Sequence, residues 1–145
     1  MLFRSHKARA KRQAKIDDIP FDENLIIKIE DVDTCEITIG KLLEDRAIDA
    51  VFAVNELFAV TIIKTAHKMG LKVPNDLAVI AFTDGIISKY STPTITTVSQ
   101  SGKKMGTKAA KMLIKRLESE EEEEGEENYR TEVISTHLIE RESTN

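Results

Sequence analysis

The chain has 145 residues, 41% of them apolar but only 5% aromatic, with no Trp and a net charge of −4 at neutral pH. That length suits one domain with one sizeable core, and the shortage of aromatics points to an aliphatic α/β interior. Cys35 is alone, which excludes an internal disulfide and fits a reducing compartment, and no apolar stretch approaches membrane-spanning length.

Residues 1–18 form a basic segment, with Arg4, Lys7, Arg9, Lys11, Arg12 and Lys15 and no acid before residue 16. Helical preferences run over 4–17 with a poor apolar face. The N-terminus lacks the apolar run and cleavage site of a secretory signal, so the chain reads as cytoplasmic. The rest of the chain is acidic and repels a nucleic-acid backbone. Ile19-Pro20-Phe21-Asp22 is a loop, because proline removes a donor and restricts its neighbour.

Leu25–Ile29 reads as a strand. Asp33-Thr34-Cys35-Glu36 then has capping-box spacing and opens a helix with Cys35, Ile39, Leu42 and Leu43 on one face. The apolar run Ala50–Val54 reads as a buried strand, after which Asn55 caps a helix apolar at Phe58, Ile62, Ile63, Ala66 and Met69. Gly70 ends that helix in the left-handed region. Val73-Pro74-Asn75-Asp76 is a turn into the strand Leu77–Phe82, which stops at Thr83-Asp84-Gly85. Ile95–Val98 is a further strand, followed by a helix over about 102–117 with Met105, Ala109, Met112, Leu113 and Leu117 on its apolar face. Residues 118–127 are an acidic connector, and Tyr129–Ile139 alternates as a last strand. Strand–helix alternation of this kind predicts an α/β fold, a parallel sheet flanked by helices.

In open α/β sheets ligands bind at the C-terminal ends of the strands. Asn55, Glu56, Thr83 and Asp84 therefore mark a rim for a small polar molecule. The Asn55 amide offers donors and an acceptor suited to sugar hydroxyls or a purine edge, although a cap requires the same residue type. His6, His67 and His137 fall in separate elements without ligand spacing, so no metal is expected, and no cofactor loop is evident. Gly102 and Gly106 read as helix-packing residues. No Ser or Cys has a plausible base beside it, and nothing separates Glu56 and Asp84 into acid and base.

From Asp49 onward, six blocks follow one another: Asp49–Glu56, Met69–Asp76, Val79–Asp84, Thr92–Gln100, Gly106 and Ala110 ahead of Leu113, and Leu138–Thr144. In that order they resemble the effector-binding domain of the lactose-repressor/galactose-repressor family of bacterial transcription regulators. The resemblance implies a type I periplasmic-binding-protein architecture, two α/β subdomains around an effector cleft. Residues 19–145 correspond to the C-terminal subdomain and the crossover helix. It further implies ligand contacts from Asn55, Phe82, Thr83 and Asp84, and a homodimer interface carrying Ile62, Ile63, Ala66 and Tyr90.

The chain departs from the family at Asn55-Glu56, where members usually have Asn-Asp. It departs again at Thr83, where many place a carboxylate that grips ligand hydroxyls. Residues 1–18 do not follow the family pattern; the places of an effector-contacting Arg and a Gly-aromatic pair fall near His6, Arg9 and Ala10. The helix-turn-helix that reads operator DNA and most of the other cleft wall are expected to be absent, as in a truncated regulator. The expected function is sensing of a sugar or related metabolite and dimerisation within a non-catalytic regulator, without membrane contact. A stand-alone solute-binding protein for uptake is the alternative, and a small α/β enzyme lacks a convergent catalytic set.

Overall fold

Two apolar runs, a threonine-rich one and one late segment make a four-stranded sheet in the computed structural model, which describes residues 22–29, 31–44, 48–118 and 131–145. The basic segment with its 4–17 helix, the loop at 19–21, connector residues 119–127 and Tyr129 lie outside the described residues. The strands are β1 (Ala50–Ala53), β2 (Ala78–Phe82), β3 (Thr96–Ser99) and β4 (His137–Ile139), in the order β1-β2-β3-β4. β1, β2 and β3 run parallel, with Ala53 opposite Ala81 and Phe82 opposite Val98. β4 is antiparallel, with Thr97 opposite Ile139, so the sheet is mostly rather than wholly parallel.

The helices are α1 (Val32–Glu44), α2 (Glu56–Lys68), α3 (Ile86–Tyr90) and α4 (Gly102–Glu118). Strand side chains alternate between faces, so Ala53, Val79 and Ala81 share one face and are buried there. α2 packs on β1 and β2 and α1 packs on α2. Cys35, Ile39 and Leu43 meet Ala59, Ile62, Ile63 and Ala66 in one cluster with Leu77 and Ile95. Each large aliphatic side chain buried there contributes roughly 1.5–3 kcal/mol. Thr61 and Thr65 enter the same core because each hydroxyl donates to the carbonyl four residues back, Leu57 O and Thr61 O. At the end of α2, Gly70 has φ +79°, the left-handed stop expected of it.

Four expectations change. Leu25–Ile29 is not a strand: Glu23–Leu25 is a single 3-10 turn, because the Asp22 carboxylate accepts from Asn24 N–H and holds Leu25 in the turn. The cap of α1 is Asp31 rather than Asp33, its Oδ1 accepting from Thr34 N at 2.6 Å. Glu36 does not reach back to close a capping box; its carboxylate pairs with Lys68 on α2. The last strand shrinks to His137–Ile139. β3 offers only four residues, and the chain leaves the sheet at Ser101, φ +55°, to enter α4, so nothing remains for residues 131–136 to pair with.

Residues 141–144 bind the sheet together from the side. Val79 N donates to Ser143 O at 3.0 Å, Thr96 N donates to Ser143 Oγ at 2.8 Å, and Ser143 Oγ donates to Val79 O. Ser143 is fully buried, so these bonds satisfy backbone groups that water cannot reach.

Candidate functional site

β1 and β2 end side by side, and their polar terminations make the rim. Asn55 adopts extended backbone, φ −154° and ψ 167°, and its Oδ1 accepts from Phe58 N at 2.8 Å, which caps α2. The exposed amide nitrogen of the same side chain makes no hydrogen bond to a described residue. Asn55 thus caps with one atom and presents another to solvent.

The next residue ties the rim together. Glu56 Oε1 accepts from Gly85 N at 2.7 Å and from Ser88 N at 2.9 Å, so α2 holds the start of α3. Gly85 has φ −106°, which any residue adopts; a glycine stands there for lack of room. A Cβ at Gly85 would fall 2.1 Å from Glu56 Oε2. The space that Glu56 occupies, rather than the backbone conformation, therefore calls for glycine at this position.

Thr83 sits between Phe82 and Asp84 with φ +80°. For a β-branched residue that conformation costs roughly 1–3 kcal/mol. The Thr83 N–H still donates to Val98 O at 3.1 Å, so the turn away from the sheet begins without losing the ladder.

Asp84 is held from three sides. Its Oδ1 accepts from Arg141 Nη2 at 2.6 Å and from Thr97 Oγ1 at 3.1 Å, and Lys89 Nζ lies 3.6 Å from Oδ2. Arg141 also donates through Nη1 to Ile95 O and Thr97 Oγ1. Burial pushes the Asp84 carboxyl upward, but the hydrogen bonds from Arg141 and Thr97 and the charges of Arg141 and Lys89 outweigh it and leave the group below its usual range. Asp84 is an anion fixed in place. Phe82 lies half-buried next to it, its ring 6.4 Å from that of Phe52 and tilted by 58°.

Asn55, Phe82, Thr83 and Asp84 thus occupy adjoining strand ends, while Arg141 and Thr97 were not foreseen as members of the cluster. Arg141 was legible only as an Arg between two glutamates late in the chain. Glu56 and Asp84 are each occupied by structural donors. Among the described residues no group of three His, Cys, Asp or Glu side chains could hold a metal ion.

The expected dimer residues divide. Ile62, Ile63 and Ala66 are 3%, 4% and 0% exposed, covered by the chain itself, and so offer no docking surface. α2 packs against both the sheet and α1, which takes up the face these residues share. Tyr90 is 82% exposed, with Ile86 and Ile87 exposed on the same short helix.

Residues 8–144 match the periplasmic-binding-protein-like domain family, beginning inside the basic segment set apart above. A transcriptional regulator of Clostridium butyricum, MalR, is 35% identical over 129 residues, covering 88% of this chain and 37% of the regulator. The chain belongs to the LacI/GalR family. Its fold superposes on a putative LacI-family regulator from Sanguibacter keddieii with a TM-score of 0.79 at 25% identity, over 96% of this chain and 52% of that one. A complex of the regulator CelR with cellobiose gives a TM-score of 0.77 at 27% identity, over 96% of this chain and 42% of that one. The chain spans 26% to 40% of the length of the curated LacI/GalR relatives it matches.

Proposed function

We propose that this chain is the effector-sensing and dimerising part of a cytoplasmic transcription regulator and that its rim is one wall of a small-molecule site. The observation that carries this reading is the pairing of an unengaged Asn55 amide with an ionised Asp84 beside the Phe82 ring on a LacI/GalR fold. Amide donors and a fixed carboxylate suit ring hydroxyls, and an aromatic face suits the apolar side of a sugar. The effector in this reading is a sugar or related metabolite, and the structurally similar regulator CelR is found in complex with cellobiose. Binding biases the closure of the regulator around its ligand and, through a homodimer, its grip on operator DNA by a helix-turn-helix elsewhere in the regulator. The exposed surface around Tyr90 is the dimer contact on this chain. No catalytic step is part of this reading, since both rim carboxylates serve as fixed acceptors.

Titration of the isotopically labelled chain with mono- and disaccharides and nucleosides tests the site. Amide shifts confined to Asn55, Phe82–Asp84 and their neighbours are expected at millimolar ligand, because one wall alone binds weakly. Shifts that cluster elsewhere, or none with any compound, defeat the reading.

A further inference from the structure

Thr83 carries backbone strain at the rim, and the chain on either side of it shows what holds it there. A β-branched residue stays in the left-handed region only where its surroundings leave it no alternative. On one side, Phe82 is fixed in the sheet opposite Val98, and Val98 O accepts from Thr83 N at 3.1 Å. On the other side, Asp84 Oδ1 accepts from Thr97 Oγ1 at 3.1 Å and from Arg141 Nη2 at 2.6 Å. One residue has to close the gap between two anchored neighbours, and it does so at φ +80°.

Thr97 and Val98 are consecutive residues of β3, so two of these anchors come from the neighbouring strand. Arg141 is the anchor that comes from elsewhere, and it is itself fixed on β3. Its Nη1 donates to Ile95 O at 2.7 Å and to Thr97 Oγ1 at 3.0 Å. Its backbone N–H donates to Thr96 Oγ1 at 2.8 Å, and its carbonyl accepts from the same hydroxyl at 3.1 Å. The side chain is only 15% exposed. A planar fork engaged in fixed directions sets an orientation as well as a charge, whereas a lysine ammonium supplies the charge alone. Lys89 illustrates the difference: it lies 3.6 Å from Asp84 Oδ2 and is half exposed, and so adds charge without direction.

We propose that Arg141 is a positioning residue of the rim: by orienting Asp84 it holds Thr83 in its left-handed turn, and so sets how Thr83 faces a ligand. The guanidinium acts through Asp84 rather than on the ligand. This rests on reading the rim as one wall of a small-molecule site, and it adds to that wall a residue 57 positions beyond Asp84. The strain at Thr83 is then a property kept for the site, at the expense of stability.

Nuclear magnetic resonance of the full chain tests it, with urea midpoints measured alongside. Thr83 should show the strong intraresidue contact between amide proton and Hα that marks a left-handed backbone. Arg141→Lys should stay folded, weaken that contact, and lose most of the shift at Asn55 and Phe82–Asp84 that a saccharide or nucleoside induces in the wild type. Ser143→Ala removes bonds to Val79 and Thr96 and none to Asp84, so it should lower the urea midpoint and leave both signals unchanged. Thr83→Gly should raise the midpoint, because glycine takes the same φ without strain, and should raise it less in the Arg141→Lys chain, where the strain is already released. The proposal is overturned by a wild-type Thr83 without the contact, by an unchanged contact in Arg141→Lys, by equal signal losses in Ser143→Ala, or by additive effects of Thr83→Gly and Arg141→Lys. An Arg141→Lys chain that fails to fold also overturns it, since Arg141 then serves the fold and not the rim. A wild-type rim that no saccharide or nucleoside shifts defeats the reading of the rim as a ligand wall, while the Thr83 contact still decides what Arg141 does.

Discussion

Removing the Glu56 carboxylate should loosen the junction between α2 and α3, and a double-mutant cycle with Gly85 isolates the reason. In the wild type, one carboxylate oxygen satisfies two backbone N–H groups, of Gly85 and of the fully buried Ser88. Hydrogen bonds to a charged acceptor contribute about 1.5–3 kcal/mol each when buried. The site is only part-buried, so Glu56→Ala should cost about 2–3 kcal/mol in total. At this chain length that lowers the thermal midpoint by roughly 7–10 °C. Gly85→Ala should cost nearly as much, because the new Cβ would meet the carboxylate at 2.1 Å and expel it from both N–H groups. Once Glu56 is Ala, the three atoms nearest that methyl group are gone and the backbone is unstrained, so Gly85→Ala should become neutral or slightly stabilising. Urea unfolding followed by circular dichroism gives all four corners of the cycle, with an expected coupling of about 2 kcal/mol. Additive effects, or a Gly85→Ala cost below about 0.5 kcal/mol, would refute the steric account.

Arg141→Met strands the Asp84 carboxylate, whose side chain is 12% exposed. It should cost about 2–4 kcal/mol at neutral pH. Because the folded Asp84 titrates below its ordinary value of 3.8, that stabilisation is full above this value and is lost as pH falls through the lower folded one, so wild type and variant should converge in acid; curves that stay parallel contradict the ion pair. Asn55→Ala should lose about 1 kcal/mol of stability as a cap, whereas Asn55→Asp keeps the cap and removes only the amide donors. Weakened ligand-induced shifts with an unchanged urea midpoint in Asn55→Asp are expected, and full binding would reduce Asn55 to a cap. Ile63→Glu should unfold the chain by placing a carboxylate in the core, while Tyr90→Glu should remain folded and lose one mode of self-association by sedimentation. A folded, monomeric Ile63→Glu would reverse the assignment.

The parts of this fold legible in the sequence are those set by neighbours along the chain. Asn55 as a cap, Gly70 as a helix stop and the abrupt ends of two apolar strands depend on a few adjacent residues and appear where expected. The orientation of α2 was not legible in the same way. Its buried set of Ala59, Thr61, Ile62, Ile63, Thr65 and Ala66 spans well over one stripe, so an apolar residue there reads alike as core or as contact surface. Thr61 and Thr65 look polar in sequence yet enter the core through bonds to their own helix. The rim cluster was half visible. Asp84 stands at a strand end, but Arg141 lies 57 residues further on, and no local pattern announces which acid it meets. Leu25–Ile29 has strand composition without a strand, because pairing belongs to two segments and composition to one. Thr83 lies beyond reach for another reason: its left-handed backbone goes against its own residue type.

Ser143 also sets a timetable. Its hydroxyl bridges Val79 and Thr96, residues made 64 and 47 positions earlier. At about 5–20 residues per second of synthesis, Val79 waits roughly 3–13 s for its partner after it is made. During that interval Val79 O and Thr96 N lack the protein partner they have in the finished sheet, and the apolar strand β2 lacks its lateral clamp. A released chain cut after residue 140 should therefore remain open to protease, and one that runs through residue 145 should not.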